Sequence, residues 1–386
     1  MKDECSLMKV LMVCTTASMI GNFNMSNISI LKKHGYEVHV ACNFVKGSNW
    51  SEKRSYELKD KLVNELNVKC YQVDFARSPL KMSENIKAYV ELSKIINNDN
   101  YDFIHCQTPM GAAITRMIIM KKQVKVVYTA HGFHFFKGAP LKNWLLFYPV
   151  EKWLSKYTDV LITINDEDFR IASRKFKAGR VVEIPGAGVE IGRFDYNEQY
   201  RNQIRRKLGI TSEKVMLLSV GELNNNKNHQ IILKALNTLK NNNIVYVIAG
   251  IGDKKNYLES LAEKYGIENQ VKLIGYKKDI EKYYSAADIF VFPSKREGLS
   301  FAGIEAMAAG LPIVGSNIRG VKDYVYENKS GYLLPHEDYK GFAKKLNELV
   351  VNPKLRKRMG KYNIRSARKY DVKNVNKIME KIYSSM

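Results

Sequence analysis

One device recurs along this chain: a short apolar run rich in β-branched residues, closed by a polar or glycine-bearing turn and followed by a longer stretch with helical spacing. Seven such runs fill the first half: "KVLMVC" from Lys9, "YEVHVAC" from Tyr36, "VKCYQVDF" from Val68, "YDFIHCQ" from Tyr101, "VKVVYTA" from Val124, "DVLITIN" from Asp159 and "VVEIP" from Val181. Six more follow: "KVMLLSVG" from Lys214, "IVYVIAG" from Ile244, "VKLIG" from Val271, "DIFVFPS" from Asp288, "LPIVGS" from Leu311 and "GYLLP" from Gly331. A strand covered by helices on both faces loses the polar alternation of a half-exposed sheet. The pattern therefore predicts an α/β protein with parallel sheets and crossover helices.

The break in this rhythm is "IPGAGVEIGRFDYNEQYR", residues 184–201, where glycine and proline interrupt the alternation. A chain of 386 residues exceeds what one core usually serves. Two doubly wound domains are expected, 1–188 and 189–386. The last stretch, "NIRSARKYDVKNVNKIMEKIYSSM", has helical spacing and no strand after it, so it is free to pack on either domain, including back on the first. Open α/β sheets gather ligands at the carboxyl ends of their strands, which makes a cleft between the domains the expected site.

The 62 Lys and Arg against 39 Asp and Glu, a net charge of +23, favour polyanionic partners: nucleic acid, anionic lipid or phosphorylated substrates. The basic residues are dispersed, with modest clusters at Arg170–Arg180 and Arg201–Lys207. No zinc-finger spacing or RNP-like motif directs them to nucleic acid. Cys5, Cys14, Cys42, Cys70 and Cys106 are odd in number and hold no C-x-x-C pair, so neither a disulfide framework nor a metal site is expected. "LMKVLMVCTT" is read as a first strand rather than a signal peptide, and no apolar run has the length of a membrane span. The expected setting is cytoplasmic.

Within "PSKREGLSFAGIEAMAAGLPIVGS", residues 293–316, a strand exits into a charged loop and a small-residue helix follows. Ser300 is the expected N-cap and Gly310 the stop, with Pro312 beyond. The free backbone N–H groups of Ser300, Phe301 and Ala302 then face a phosphate. Gly298, before Leu299, permits close approach. Glu297 on the loop is placed to accept from sugar hydroxyls, and Glu305, more than a turn into the helix, to reach a ribose diol.

The segment "FPSKREGLSFAGIEAMAAGLPIV" with "RGVKDYVYENKSGYLLP" closely resembles the donor half of the family-four retaining glycosyltransferases of the GT-B fold. The resemblance implies that Glu297 contacts the donor sugar and Glu305 the ribose. "SVGELNNNKNHQ" resembles the family's diphosphate-binding element, with Lys227 as its lysine. Many members carry an arginine where this chain has Glu222, so Arg296 or a basic residue of the other domain is expected to supply the missing charge. "IAGIGDKKNYLE", with Gly250, is similar to the loop near the base, and "LIGYKKDIEKYYSAADIF" to the element that brackets it.

"VYTAHGFHFFKGAPLKNWLLFYPVEKWLSKYTDVLITIN", residues 127–165, looks like the acceptor half of the bacterial polysaccharide branch of that family. The resemblance places His131 beside the transferred sugar and the loop Ser18–Asn22, with Gly21, against the donor phosphates. His134, three residues on, either joins the acceptor side or only packs. His105 and Gln107 of "IHCQTPMGA" either line the acceptor channel or are satisfied in the interior. The interleaved lysines and aromatics of residues 133–157, Trp144 and Phe147 among them, suit a membrane interface; the competing expectation is a buried helix pair interrupted at Pro149.

The resemblance thus implies a peripheral enzyme at the inner face of the plasma membrane. It would move sugar from a nucleotide-sugar, a UDP-sugar with a UDP-N-acetylhexosamine as one candidate, to an undecaprenyl-diphosphate-linked glycan for capsule or exopolysaccharide. No cofactor, metal or nucleic acid is called for. A UDP-sugar epimerase of the same fold and a non-catalytic basic lipid- or nucleic-acid-binding protein are the rival expectations.

Overall fold

The computed structural model describes residues 8–47 and 50–386; Cys5 lies outside them. Each apolar run forms a strand: β1 (Lys9–Thr16), β2 (Glu37–Asn43), β3 (Lys69–Gln72), β4 (Phe103–Gln107), β5 (Lys125–Ala130), β6 (Val160–Thr163), β7 (Arg180–Glu183), β8 (Val215–Val220), β9 (Ile244–Ala249), β10 (Val271–Gly275), β11 (Ile289–Phe292), β12 (Ile313–Ser316) and β13 (Gly331–Leu334). The first seven make a sheet in the order β3-β2-β1-β4-β5-β6-β7, the other six a sheet in the order β10-β9-β8-β11-β12-β13. All strand pairs in both are parallel.

The chain divides into two compact units, one running to Ala187 and taking back Asn374–Met386, the other Gly188–Lys373. In the second unit Met216, Leu218, Val245, Val247, Phe290 and Phe292 face one core, while Leu217, Tyr246, Ile248, Ile289 and Val291 face another across the sheet. Successive residues of a strand point to opposite faces, so a sheet covered twice needs apolar residues at every position. That requirement produced the unbroken runs in the sequence.

Basic clusters that suggested polyanion binding prove largely structural. The helix Asp166–Lys175 is capped by Asn165, whose Oδ1 accepts from Asp168 N at 2.9 Å; acids fill its first turn, and Arg174 and Lys175 its last, where they complement the helix dipole. Arg201 and Arg205 both grip Asp288, at 2.8 and 3.1 Å, and both donate to the Ala286 carbonyl. They tie the helix Glu198–Lys207 to the entry of β11.

The aromatic segment departs from both expectations drawn for it. Leu141–Leu154 is one helix, continuous through Pro149. Trp144 turns inward, against Phe135 and Tyr148, with its indole N–H donating to Phe136 O at 3.2 Å; Phe147 stacks on His134 at 4.5 Å. What faces water is an aliphatic ridge: Leu141 and Leu145 are 73% and 70% exposed, with Leu146, Val150 and Trp153 also exposed. A helix side chain leans over the preceding turn, and residues three and four apart share a face; position on the helix, not residue type, chose which ones went inside. Of the described residues, none belongs to a helix long and apolar enough to cross a membrane.

The terminal helix, Val372–Tyr383, begins in the second unit and ends in the first. Val375, Met379, Ile382 and Tyr383 are buried on its inner face. Tyr383 stacks on Phe103 of β4 at 5.6 Å, and its hydroxyl lies 2.8 Å from His105 Nδ1. Removing that hydroxyl leaves a buried imidazole nitrogen without its partner. Tyr383→Phe is expected to lower unfolding free energy by about 1–3 kcal/mol, read from urea titrations; an unchanged midpoint would mean that the hydroxyl contributes nothing to docking.

Candidate active site

In each sheet the strand order reverses at one place, between β1 and β4 and between β8 and β11. Loops leaving such neighbours diverge to opposite sides and open a crevice at the carboxyl edge. The loop after β8 carries Glu222 and Lys227; the loop after β11 carries Arg296, Glu297 and Gly298.

Two asparagines bind these loops together. Asn226 O accepts from Lys295 N at 2.8 Å, and Asn226 Nδ2 donates to Arg296 O at 3.0 Å. Asn228 sits at φ +56° and donates through Nδ2 to Pro293 O at 3.2 Å and to His336 O at 2.8 Å. Asparagine tolerates the left-handed region better than most residues, and its amide ties one backbone to another. Sequence reasoning valued the lysine of "NNNKN" and passed over the asparagines. The clue was an asparagine run in a loop between strand and helix.

Lys227, held between these ties, places Nζ 2.7 Å from Glu297 Oε1 and 4.9 Å above the Phe292 ring. The resemblance assigns the lysine to the diphosphate and the acid to the sugar; in the structure the two form an ion pair. Glu222, where the family pattern has a positive charge, accepts from Asn224 Nδ2 at 2.8 Å. Arg296 is exposed on the neighbouring loop.

The helix Phe301–Ala308 begins at Ser300, whose extended backbone occupies the capping position while its side chain makes no capping hydrogen bond. The expected Ser300 cap is therefore one of backbone geometry only. Leu299 and Phe301 pack on the core beneath and anchor this turn. Glu305 lies on the same helix, its Oε2 accepting from the buried Tyr284 hydroxyl at 2.9 Å. Burial raises the Glu305 pKa, with Tyr284 and Arg193 partly opposing the shift.

Gly250 serves packing: a Cβ there would fall 1.8 Å from Gly221 O, so the loop after β9 can press against the loop after β8 only with glycine. Gly21 corrects another expectation. Residues 18–22 form no phosphate loop but belong to the helix Ala17–Phe23, and a Cβ on Gly21 would meet the Trp50 ring at 2.2 Å. Apolar spacing over seven residues is too short to separate such a helix from a loop.

In the first unit His131 follows β5, its Nε2 2.6 Å from Oε1 of Gln107 at the end of β4, and Phe23 lies against its ring at 5.0 Å. These side chains, with Asn27 and with Asn376 and Met379 of the terminal helix, border a cavity of about 20 Å³, room for about one water. Burial pushes the His131 pKa down to about 4. His105 lies in the interior, between Tyr383 and Thr129 Oγ1, and burial followed by the influence of His131 pushes it down to about 3. It is a satisfied core histidine and lines no channel. His134 stacks on Phe147.

Residues 200–366 match the family model of glycosyl transferases group 1, and residues 9–165 that of the glycosyl transferase 4-like family. The chain is 35% identical over 384 residues to the glycosyltransferase EpsD of Bacillus subtilis, covering 98% of this chain and 96% of that protein. It is 26% identical over 345 residues to the UDP-Gal:alpha-D-GlcNAc-diphosphoundecaprenol alpha-1,3-galactosyltransferase of Escherichia coli, covering 86% and 84%. The crystal structure of Anabaena HepE with UDP superposes with a TM-score of 0.79 at 16% identity, over 98% of this chain and 100% of that one. At that identity the likeness is one of fold.

Three imidazoles, those of the buried His105 and His229 and the half-buried His131, predict how stability depends on pH. His105, His131 and His229 are depressed from 6.5 to about 3, 4 and 4, each chiefly by burial. Above 6.5 they are neutral in both folded and unfolded chains. Below it the unfolded chain takes up protons that the folded one refuses, so stability is lost as pH falls from 6.5 toward 4. Urea midpoints at pH 7.5, 6 and 5 should decline in that order, and His229→Gln should flatten the slope. A level profile would contradict the burial of neutral imidazoles.

Proposed function

Since this chain belongs to the group 1 glycosyltransferases and has the GT-B fold, we propose that it transfers a sugar from a UDP-sugar, with retention of configuration, to an undecaprenyl-diphosphate-linked glycan during capsule or exopolysaccharide synthesis. The observation that carries this reading is the Lys227–Glu297 pair, 2.7 Å apart, which joins the loops after β8 and β11. The activity of the Escherichia coli relative, a UDP-Gal-dependent transferase for a diphosphoundecaprenol glycan, supports the donor nucleotide and the acceptor class.

A diphosphate arriving at the helix Phe301–Ala308 draws the Lys227 ammonium to itself and releases the Glu297 carboxylate to accept from sugar hydroxyls. Glu305 then takes the ribose diol, and Arg296 supplies the charge that Glu222 does not. As the bond from the anomeric carbon to the diphosphate breaks, negative charge grows where Lys227 and the helix amides already stand. The acceptor oxygen bonds to the same face of the sugar, and its proton passes to the departing phosphate, so this route requires neither a separate base nor a metal. His131 lies beside the transferred sugar.

Membrane contact is assigned to the aliphatic ridge of Leu141–Leu154, not to Trp144 and Phe147. Lys142 and Lys152 on the same helix, and Lys156 just after it, suit anionic headgroups. The helix Met82–Asn97, beyond Pro109–Ile119 on the same face of the sheet, adds exposed Met82, Ile86 and Val90 at four-residue spacing.

Purified protein incubated with membranes bearing lipid-linked glycans and radiolabelled UDP- and GDP-sugars should carry label into the lipid phase from one donor. Glu297→Ala should abolish this, and Lys227→Ala should lower kcat by about 10²-fold or more. Sugar isomerised without acceptor, with none transferred, would replace the transferase reading by the epimerase one. For the membrane, the double substitution Leu145→Ser and Leu146→Ser should weaken binding to anionic vesicles with the unfolding midpoint unchanged, while Trp144→Ala should chiefly destabilise. Vesicle binding indifferent to the leucines would remove the ridge from the proposal.

A further inference from the structure

Three side chains of the first unit stand in series below the cavity: Asn24, buried between the helices Ala17–Phe23 and Met25–Lys33, Gln107 at the end of β4, and His131. Their hydrogen-bond polarity can be worked out from one end. Asn24 Nδ2 lies 3.0 Å from the Met19 carbonyl, which can only accept, so the amide nitrogen of Asn24 must face it and Oδ1 must face away. Asn27 Nδ2 donates to that Oδ1 at 3.2 Å, and so does Gln107 Nε2. With its nitrogen so committed, Gln107 turns Oε1 to His131 Nε2, 2.6 Å away. An amide oxygen has only lone pairs to offer, so Nε2 must carry the proton. A neutral imidazole has one N–H, and Nδ1 is left with a lone pair.

A second branch agrees. Gln107 Nε2 also lies 3.4 Å from His105 Nε2, and Thr129 Oγ1 is 2.9 Å from the same nitrogen. An accepting Nε2 puts the His105 proton on Nδ1, where it donates to the Tyr383 hydroxyl at 2.8 Å. Reversing the Gln107 amide would set oxygen against oxygen at Asn24. Reversing Asn24 as well would set its oxygen against the Met19 carbonyl. One backbone carbonyl thereby sets the orientation of the whole series.

We propose that Gln107, oriented by Asn24, is a positioning residue that holds His131 in the Nε2–H tautomer and so presents Nδ1 to the substrate as a hydrogen-bond acceptor. The group it serves is a hydroxyl donor on the transferred sugar or the acceptor. An imidazolium would have no lone pair for that hydroxyl, and the opposite tautomer would offer an N–H in its place. The functional consequence rests on the reading of His131 as a neighbour of the transferred sugar; the tautomer itself belongs to the fold and is measurable without substrate.

The test is a two-bond proton–nitrogen correlation spectrum of the full chain labelled with 15N-histidine, with the His131 signals assigned by their loss in His131→Phe. The expected wild-type pattern at pH 7 is that of a neutral Nε2–H ring. Gln107→Glu places a carboxylate there and should raise the His131 titration by about one unit or more, moving the acid limb of the kcat profile upward with it. Gln107→Leu should give mixed tautomers and lower kcat by about tenfold or more, with donor KM within about twofold.

A wild-type His131 protonated on Nδ1 would overturn the proposal, as would a Gln107→Leu protein that keeps both the Nε2–H pattern and its kcat. A purely structural glutamine would lower the melting temperature and leave tautomer and pH profile where they were, which also counts against it. Should the Gln107 variants not fold, the wild-type spectrum and an Asn24→Ser variant decide the matter. Failure of sugar transfer with every donor, alongside the expected spectrum, would refute the functional reading and leave the tautomer assignment standing.

Discussion

Every strand in this protein pairs in parallel, and that constraint organises the rest. A parallel ladder cannot be closed by a hairpin, so each strand must be followed by a crossover, and the carboxyl ends of each sheet emerge on one rim of that sheet. Each rim gathers its own polar residues: Gln107 at the end of β4 and His131 after β5 in the first unit, Lys227 after β8 and Glu297 after β11 in the second. Where strand order reverses, the loops part, and the amides of Asn226 and Asn228 then hold those of the second unit at a set spacing. The site is a consequence of sheet topology, stiffened by side-chain ties to backbone.

The two rims use charge differently. In the second unit opposite charges stand paired, Lys227 with Glu297, and neutralise each other. Partial burial holds both ions close, and their attraction offsets the loss of water around each. Elsewhere in this unit arginine is structural: Arg201 and Arg205 converge on Asp288, and Arg193 on Glu281. A net charge of +23 is thus a poor guide to where an anion binds, because much of it already has work inside the fold.

The first unit relies instead on neutral polar groups. Asn24, Gln107, His105, Thr129 and Tyr383 are buried, and each finds a partner within the set. Connected networks of this kind confer orientation as well as stability, since reversing one member breaks its neighbours' bonds. The terminal helix closes the network by bringing Tyr383 to His105 across 278 residues of sequence.

The sequence by itself determined the strands, the parallel architecture and the loop-to-helix setting of Glu297 and Glu305. Those features are written locally, in apolar runs and turn residues whose periodicity reflects burial on both faces. It also carried, through motif resemblance, the family to which the chain belongs. Tertiary structure alone decided which face of Leu141–Leu154 meets solvent, that Ser18–Asn22 winds into a helix against Trp50, that Gly250 yields to a neighbouring backbone, and that His105 is spent on Tyr383. It alone decided that Lys227 and Glu297 face each other and that His131 meets Gln107. The physical reason is the range of the interactions: helix and strand follow from neighbours a few residues apart, while a side chain's partner, and with it its charge and tautomer, depends on which distant strand the crossover brings alongside.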